Sequence, residues 1–140
     1  MDRQMTRDGI TVWRARGESM GRMWGPEALL GVRPVSPADP PLYGDVIVYE
    51  MGDGVLAHRV ILRRRSPAGW SYVTQGDARW HPDQIPVPES NVRGVVVRVW
   101  RGNRELRMDG WRGTGSKRMR WAWLRFKSML ARCRGAFRTA

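Results

Sequence analysis

Short runs rich in β-branched and aromatic residues, fenced by glycine and proline, constrain this 140-residue chain more than any other feature. Residues 11–16, 46–50, 55–64, 70–75 and 92–100 each have the length and side-chain character of a strand. All nine prolines lie at or before Pro88, in the same region as the runs. Proline breaks helices, so that region is expected to be sheet and turn. Pro34, Pro37, Pro40 and Pro41 should keep residues 32–43 irregular, and Pro82, Pro86 and Pro88 should do the same for 82–91. One short helical turn is expected after Met20. Alternation within the runs is imperfect, as in a small closed sheet with few solvent-facing strands. The expected fold class is mainly β, and a chain of this length buries one modest core with room for an appendage.

Charge marks the appendage. Residues 1–100 hold 13 Arg against 11 Asp and Glu, whereas residues 101–140 hold 12 Lys and Arg against Glu105 and Asp109. Nearly all of the net +12 is therefore in the last forty residues. Gly110-Trp111-Arg112-Gly113-Thr114-Gly115-Ser116 reads as a linker, and lacks the Gly-Lys-Ser/Thr ending of a phosphate loop. Beyond it, Met119, Trp123, Phe126, Leu130, Cys133 and Phe137 recur at helical spacing. Arginines and Lys127 border that stripe on both sides. The expected organisation is a β-domain over residues 1–104, a Gly-rich linker over 105–116, and a basic amphipathic helix over 117–138. A Trp- and Phe-rich stripe with basic borders suits the surface of an anionic membrane. Packing on the β-domain is the plainer reading, and phosphate contact with nucleic acid is the third. No run approaches the roughly 20 apolar residues of a spanning helix, and no apolar signal-peptide core is present. Cys133 is the single cysteine, so no internal disulfide forms, and a reducing compartment is compatible. The expected location is cytoplasmic, peripheral at the membrane where the tail docks.

The chemistry-bearing residues fall in four short pieces, in fixed order. They are Gly17-Glu18-Ser19-Met20, Gly44-Asp45-Val46-Ile47-Val48-Tyr49, His58-Arg59-Val60-Ile61, and Gln75-Gly76-Asp77-Ala78 followed by Asp83. One serine, one histidine and two aspartates on strands and turns are the inventory of a serine hydrolase. The two lysines, Lys117 and Lys127, are both in the tail, which argues against a lysine base. A lone histidine in an apolar strand is ordinarily a satisfied core residue, and only its motif context turns His58 into a candidate base. His81 reads as a loop residue, Asp45 as part of a turn entering a buried strand, and Glu18 as a solvated charge. For Asp77, which follows a glycine at a strand end, a turn role is the simple explanation.

In their order and flanks these pieces resemble the signal peptidase I superfamily, and within it the archaeal, endoplasmic-reticulum and sporulation-type branch. The resemblance spans roughly residues 10–100 and ends at Val92-Arg93-Gly94-Val95-Val96-Val97. It implies a small signal-peptidase/LexA-like β-domain, with Ser19 as nucleophile and His58 as general base. It favours Asp83 as the orienting carboxylate, with Asp77 holding the loop or sharing that role. It also implies an extended precursor or leader peptide as substrate, paired as an added strand, and no metal or cofactor. A neutral imidazole base ties activity to pH, with a fall expected as pH drops through roughly 6–7. Two departures stand out. Family members commonly carry spanning helices, and a proline usually lies two residues after the Met of the Ser-Met piece, where this chain has Gly21-Arg22-Met23-Trp24. The alternative is a catalytically degenerate peptidase scaffold that binds membrane or nucleic acid through its basic tail.

Overall fold

A computed structural model describes residues 3–5, 9–21, 24–25 and 27–108. The expected helix over 117–138 and the greater part of the linker lie outside the described residues. Among the described residues, nine strands form one antiparallel sheet: β1 (Arg3–Met5), β2 (Thr11–Arg14), β3 (Leu29–Arg33), β4 (Val46–Met51), β5 (Gly54–Ser66), β6 (Gly69–Gln75), β7 (Val87–Pro88), β8 (Val92–Arg101) and β9 (Arg104–Arg107). The order is β1-β2-β3-β8-β4-β5-β6-β7. Strand β8 is the hinge of this order, with β3 along one edge and β4, then β9, along the other. The chain is mainly β, as its apolar runs indicate.

Val46-Ile47-Val48-Tyr49 shows why the runs are apolar on both faces. Successive side chains of a strand point to opposite faces. Val46 and Val48 pack with Leu30, Val32, Val96, Val99, Met20 and Trp24, while Ile47 and Tyr49 pack with Val60, Tyr72, Val87 and Val95. One sheet thus bends around two cores, and β4 is buried from both sides. Each Val, Ile or Leu so buried contributes on the order of 1.5–3 kcal/mol. Irregular pairings at Gly31/Val32, Val48/Tyr49 and Val60/Leu62 supply the bends.

Several expected boundaries move. Strand β3 takes in Val32 and Arg33, which the proline count had assigned to irregular chain; the strand ends just before Pro34, and the turns follow from there. Within 82–91, β7 and a 3₁₀ turn over Glu89–Asn91 are regular. Pro88 is tolerated because β7 is an edge strand, where a missing N–H costs no interior ladder bond. Residues 105–107, expected to open the linker, belong to β9, which folds back on β8 through a turn at Gly102. Strand β9 reads Arg-Glu-Leu-Arg and is wholly exposed, so its sequence carries no apolar alternation to reveal it. No described helix is long and apolar enough to cross a membrane.

Candidate active site

Three adjacent strands supply one polar cluster on the second core's face. Ile47 of β4 pairs with His58 of β5, and Val60 of β5 pairs with Thr74 of β6. Alternation then puts Tyr49, His58 and Thr74 on the same face as Ile47 and Val60. All three are buried, and His58 is only 3 % exposed. A buried imidazole needs partners for its ring nitrogens. Asp83, from the segment after β6, supplies one: its Oδ2 lies 2.6 Å from His58 Nδ1. The same oxygen accepts from Thr74 Oγ1 at 2.7 Å and from the Tyr49 hydroxyl at 3.4 Å. The Tyr49 hydroxyl also lies 3.2 Å from Thr74 Oγ1 and 3.3 Å from His58 Nδ1. Burial pushes the Tyr49 phenol up to about 12, an effect to which the Asp83 charge adds. That phenol therefore stays protonated, and a donor, at neutral pH.

His58 Nε2 is the opposite case: it is buried and has no hydrogen-bond partner. Gly76 lies against it. A Cβ placed on Gly76 would sit 3.3 Å from Nε2 and 2.6 Å from the Ser19 carbonyl oxygen. Glycine at 76 is thus what allows the Ser19 turn to close onto the histidine. A backbone bond from Ala78 N–H to the Ser19 carbonyl, 2.9 Å, fixes that contact. The Ser19 turn itself has three anchors. Gly17 takes φ +100, a region L side chains avoid; Gly21 N–H closes onto the Glu18 carbonyl at 2.8 Å; and Met20 is buried in the first core. No hydrogen bond joins Ser19 Oγ to Nε2 in this state. A nucleophile and base separated in the free protein commonly tighten once a ligand closes the site.

The two candidate aspartates go to different partners. Both carboxylate oxygens of Asp77 accept from Arg59, from Nε at 2.8 Å and from an η nitrogen at 2.6 Å. The other η nitrogen of Arg59 donates to the Gly44 carbonyl at 2.7 Å. Asp77 is thereby the loop-holding carboxylate, and Asp83 is the one on the imidazole. Asp45 accepts from the Leu42 N–H at 2.9 Å, which closes the turn into β4. Glu18 and His81 are exposed, and His81 lies 3.2 Å from the Pro82 carbonyl. Sequence reasoning assigned no role to Tyr49, Thr74, Arg59 or Gly76. Their signal was positional: Tyr49 and Thr74 share a strand face with His58, which becomes visible only once the register between the strands is known.

Comparison of the chain with protein-family models, with curated proteins and with solved structures finds no match.

Proposed function

We propose that this protein is a serine endopeptidase of the signal peptidase I type. In this reading Ser19 attacks a peptide carbonyl, His58 Nε2 takes the hydroxyl proton, and Asp83 steadies the imidazolium through Nδ1. The proton then passes from Nε2 to the leaving amine, and water repeats the sequence on the acyl-enzyme. The Ser19 backbone N–H is the candidate donor to the oxyanion. One observation supports this reading above the others. The buried imidazole is held by a carboxylate at Nδ1, 2.6 Å away, while Nε2 is left bare beside the Ser19 turn. A histidine kept only for packing would have both nitrogens satisfied or one in solvent.

The finer fold reading, a signal-peptidase/LexA-like β-domain, belongs to the same proposal and rests on the four motif pieces and their order. So does the substrate, an extended precursor or leader peptide. A fluorophosphonate probe tests the core of it: wild type is expected to label at Ser19 and Ser19→Ala is not, with peptide cleavage lost in parallel. Equal labelling or equal cleavage in the two proteins would sink the enzyme reading and leave a binding scaffold in its place. Residues 114–140 titrated with anionic vesicles and with RNA across a salt series separate the two partners proposed for the tail.

A further inference from the structure

On the reading that His58 and Asp83 act as a pair, we propose that Thr74 is the residue that positions Asp83 for catalysis, with the Tyr49 hydroxyl bracing Thr74. Unlike His58, which is held within β5, Asp83 is carried on a stretch without regular structure, between the end of β6 and β7. Its aim at Nδ1 has to be fixed from outside that stretch. Thr74 fixes it at two points. The Thr74 carbonyl accepts from the Asp83 N–H at 2.8 Å, and Thr74 Oγ1 donates to Asp83 Oδ2 at 2.7 Å. Main chain and carboxylate are therefore both tied to one residue of β6. That residue is wholly buried, and it sits in the β5–β6 ladder opposite Val60.

The proton count supports the same arrangement. A threonine hydroxyl has one proton and two lone pairs. Its proton goes to Asp83, so a lone pair is left for the Tyr49 hydroxyl at 3.2 Å. Tyr49 also lies 3.3 Å from Nδ1, and a tyrosine proton given to Nδ1 would force the imidazole proton onto Nε2. That tautomer cannot accept from a serine. With Thr74 as the acceptor for Tyr49, the chain of donors runs from Tyr49 to Thr74 to Asp83. His58 Nδ1–H then meets Asp83 from the other side, and the bare lone pair is left on Nε2, where no partner occupies it. Thr74 thus acts through Asp83 and does not touch the substrate; it is a positioning residue.

Thr74→Val, Thr74→Ser and Tyr49→Phe in the full chain test this with two readouts. The first is the His58 Nδ1 proton by NMR, assigned against His58→Gln, which is practical because the chain has two histidines. The second is kcat and KM on a cleaved peptide. Wild type is expected to show a downfield, slowly exchanging Nδ1 proton. Thr74→Val is expected to lose it and to lower kcat about 10–100-fold with KM little changed, the usual cost of removing an orienting partner. Thr74→Ser is expected to restore both, and Tyr49→Phe to keep the signal with a smaller fall in kcat. Should Thr74→Val not fold, Thr74→Ala carries the same expectation, since it keeps the backbone bond and removes the hydroxyl together with the γ-methyl. A folded Thr74→Val or Thr74→Ala with wild-type signal and wild-type kcat overturns the proposal, as does a wild type without the signal. The NMR readout does not depend on catalysis. If the signal follows Thr74 but nothing is cleaved or labelled, the peptidase reading fails and the positioning stands.

Discussion

His58 and Arg59 are neighbours on β5, point to opposite faces of the sheet, and each takes one aspartate from the same segment. The Arg59 side is closed. A planar guanidinium meets both oxygens of Asp77, its remaining η nitrogen meets the Gly44 carbonyl, and the side chains are 5 % and 13 % exposed. Each guanidinium nitrogen and both carboxylate oxygens there have a partner, which commits the pair to holding the loop. On the His58 side the carboxylate is shared by His58 and Thr74, with the Tyr49 hydroxyl 3.4 Å away, yet the far ring nitrogen has no partner. Two aspartates six residues apart are separated in role by this difference. A carboxylate saturated by arginine is structural, whereas one that leaves an imidazole lone pair free is suited to proton transfer.

The largest break in this comparison is expected from Asp83→Asn. The amide keeps the shape but cannot stabilise an imidazolium, and it can hold the ring in the wrong tautomer. Probe labelling and peptide cleavage should fall by about 10³–10⁴-fold in a protein that remains folded at room temperature. A loss of tenfold or less would mean that Asp83 does not serve the histidine during the reaction.

Asp77→Ala should do the reverse. It leaves the Arg59 side chain, 5 % exposed, without its counter-charge. Breaking a buried pair from one side costs about 3–5 kcal/mol, and urea unfolding should read this as a lower midpoint with an unchanged slope. Below that midpoint, labelling at Ser19 should stay within severalfold of wild type, because the imidazole and Asp83 are untouched. Replacing both partners, as in Arg59→Met with Asp77→Leu, should recover part of the lost stability. If Asp77→Ala abolishes labelling while the chain is fully folded, the two aspartates are not divided as described. The loop contact between Ala78 N–H and the Ser19 carbonyl would be the first place to look for the link.

What the sequence made legible follows the same division between local and non-local signals. The runs at 46–50, 55–64, 70–75 and 92–100 match β4, β5, β6 and β8 closely. Strand β4 is apolar from Val46 to Tyr49 because both its faces are buried there, and the other three carry β-branched and aromatic residues among their polar ones. Strand β9 escaped because an exposed edge strand has no reason to be apolar, and β7 escaped because two residues have no period. Ser19, His58, Asp77 and Asp83 were visible as motif members. Which aspartate meets the histidine depends on Arg59, whose side chain lies across the sheet from His58 and draws Asp77 away. The clustering of Tyr49 and Thr74 with His58 depends on register across three strands, and on the irregular pairing at Val60/Leu62. No window along the chain contains that information.

Alkaline pH offers the gentlest way to load one side of the comparison. Tyr49, on the His58 side, and Tyr72, on the same face of β6, both have phenols raised from 10.0 to about 12, chiefly by burial. The folded chain therefore keeps its phenol protons after the unfolded chain has begun to release them. Their contribution to stability is fully present below pH 10 and declines as pH rises from 10 towards about 12. Urea midpoints measured across that interval should fall steadily, and phenolate absorbance should rise together with loss of structure. Tyr49→Phe should remove part of the slope, at the cost of the hydroxyl that braces Thr74. Tyr72→Phe should remove another part and raise stability at neutral pH, because the Tyr72 hydroxyl is buried with no hydrogen-bond partner. Tyr49 and Tyr72 both pack in the second core, and neither hydrogen-bonds Arg59 or Asp77, so Asp77→Ala should lower every midpoint by the same amount and leave the slope with pH unchanged. A change in that slope on breaking the Arg59 pair would mean that the two faces of β5 are coupled through the strand they share.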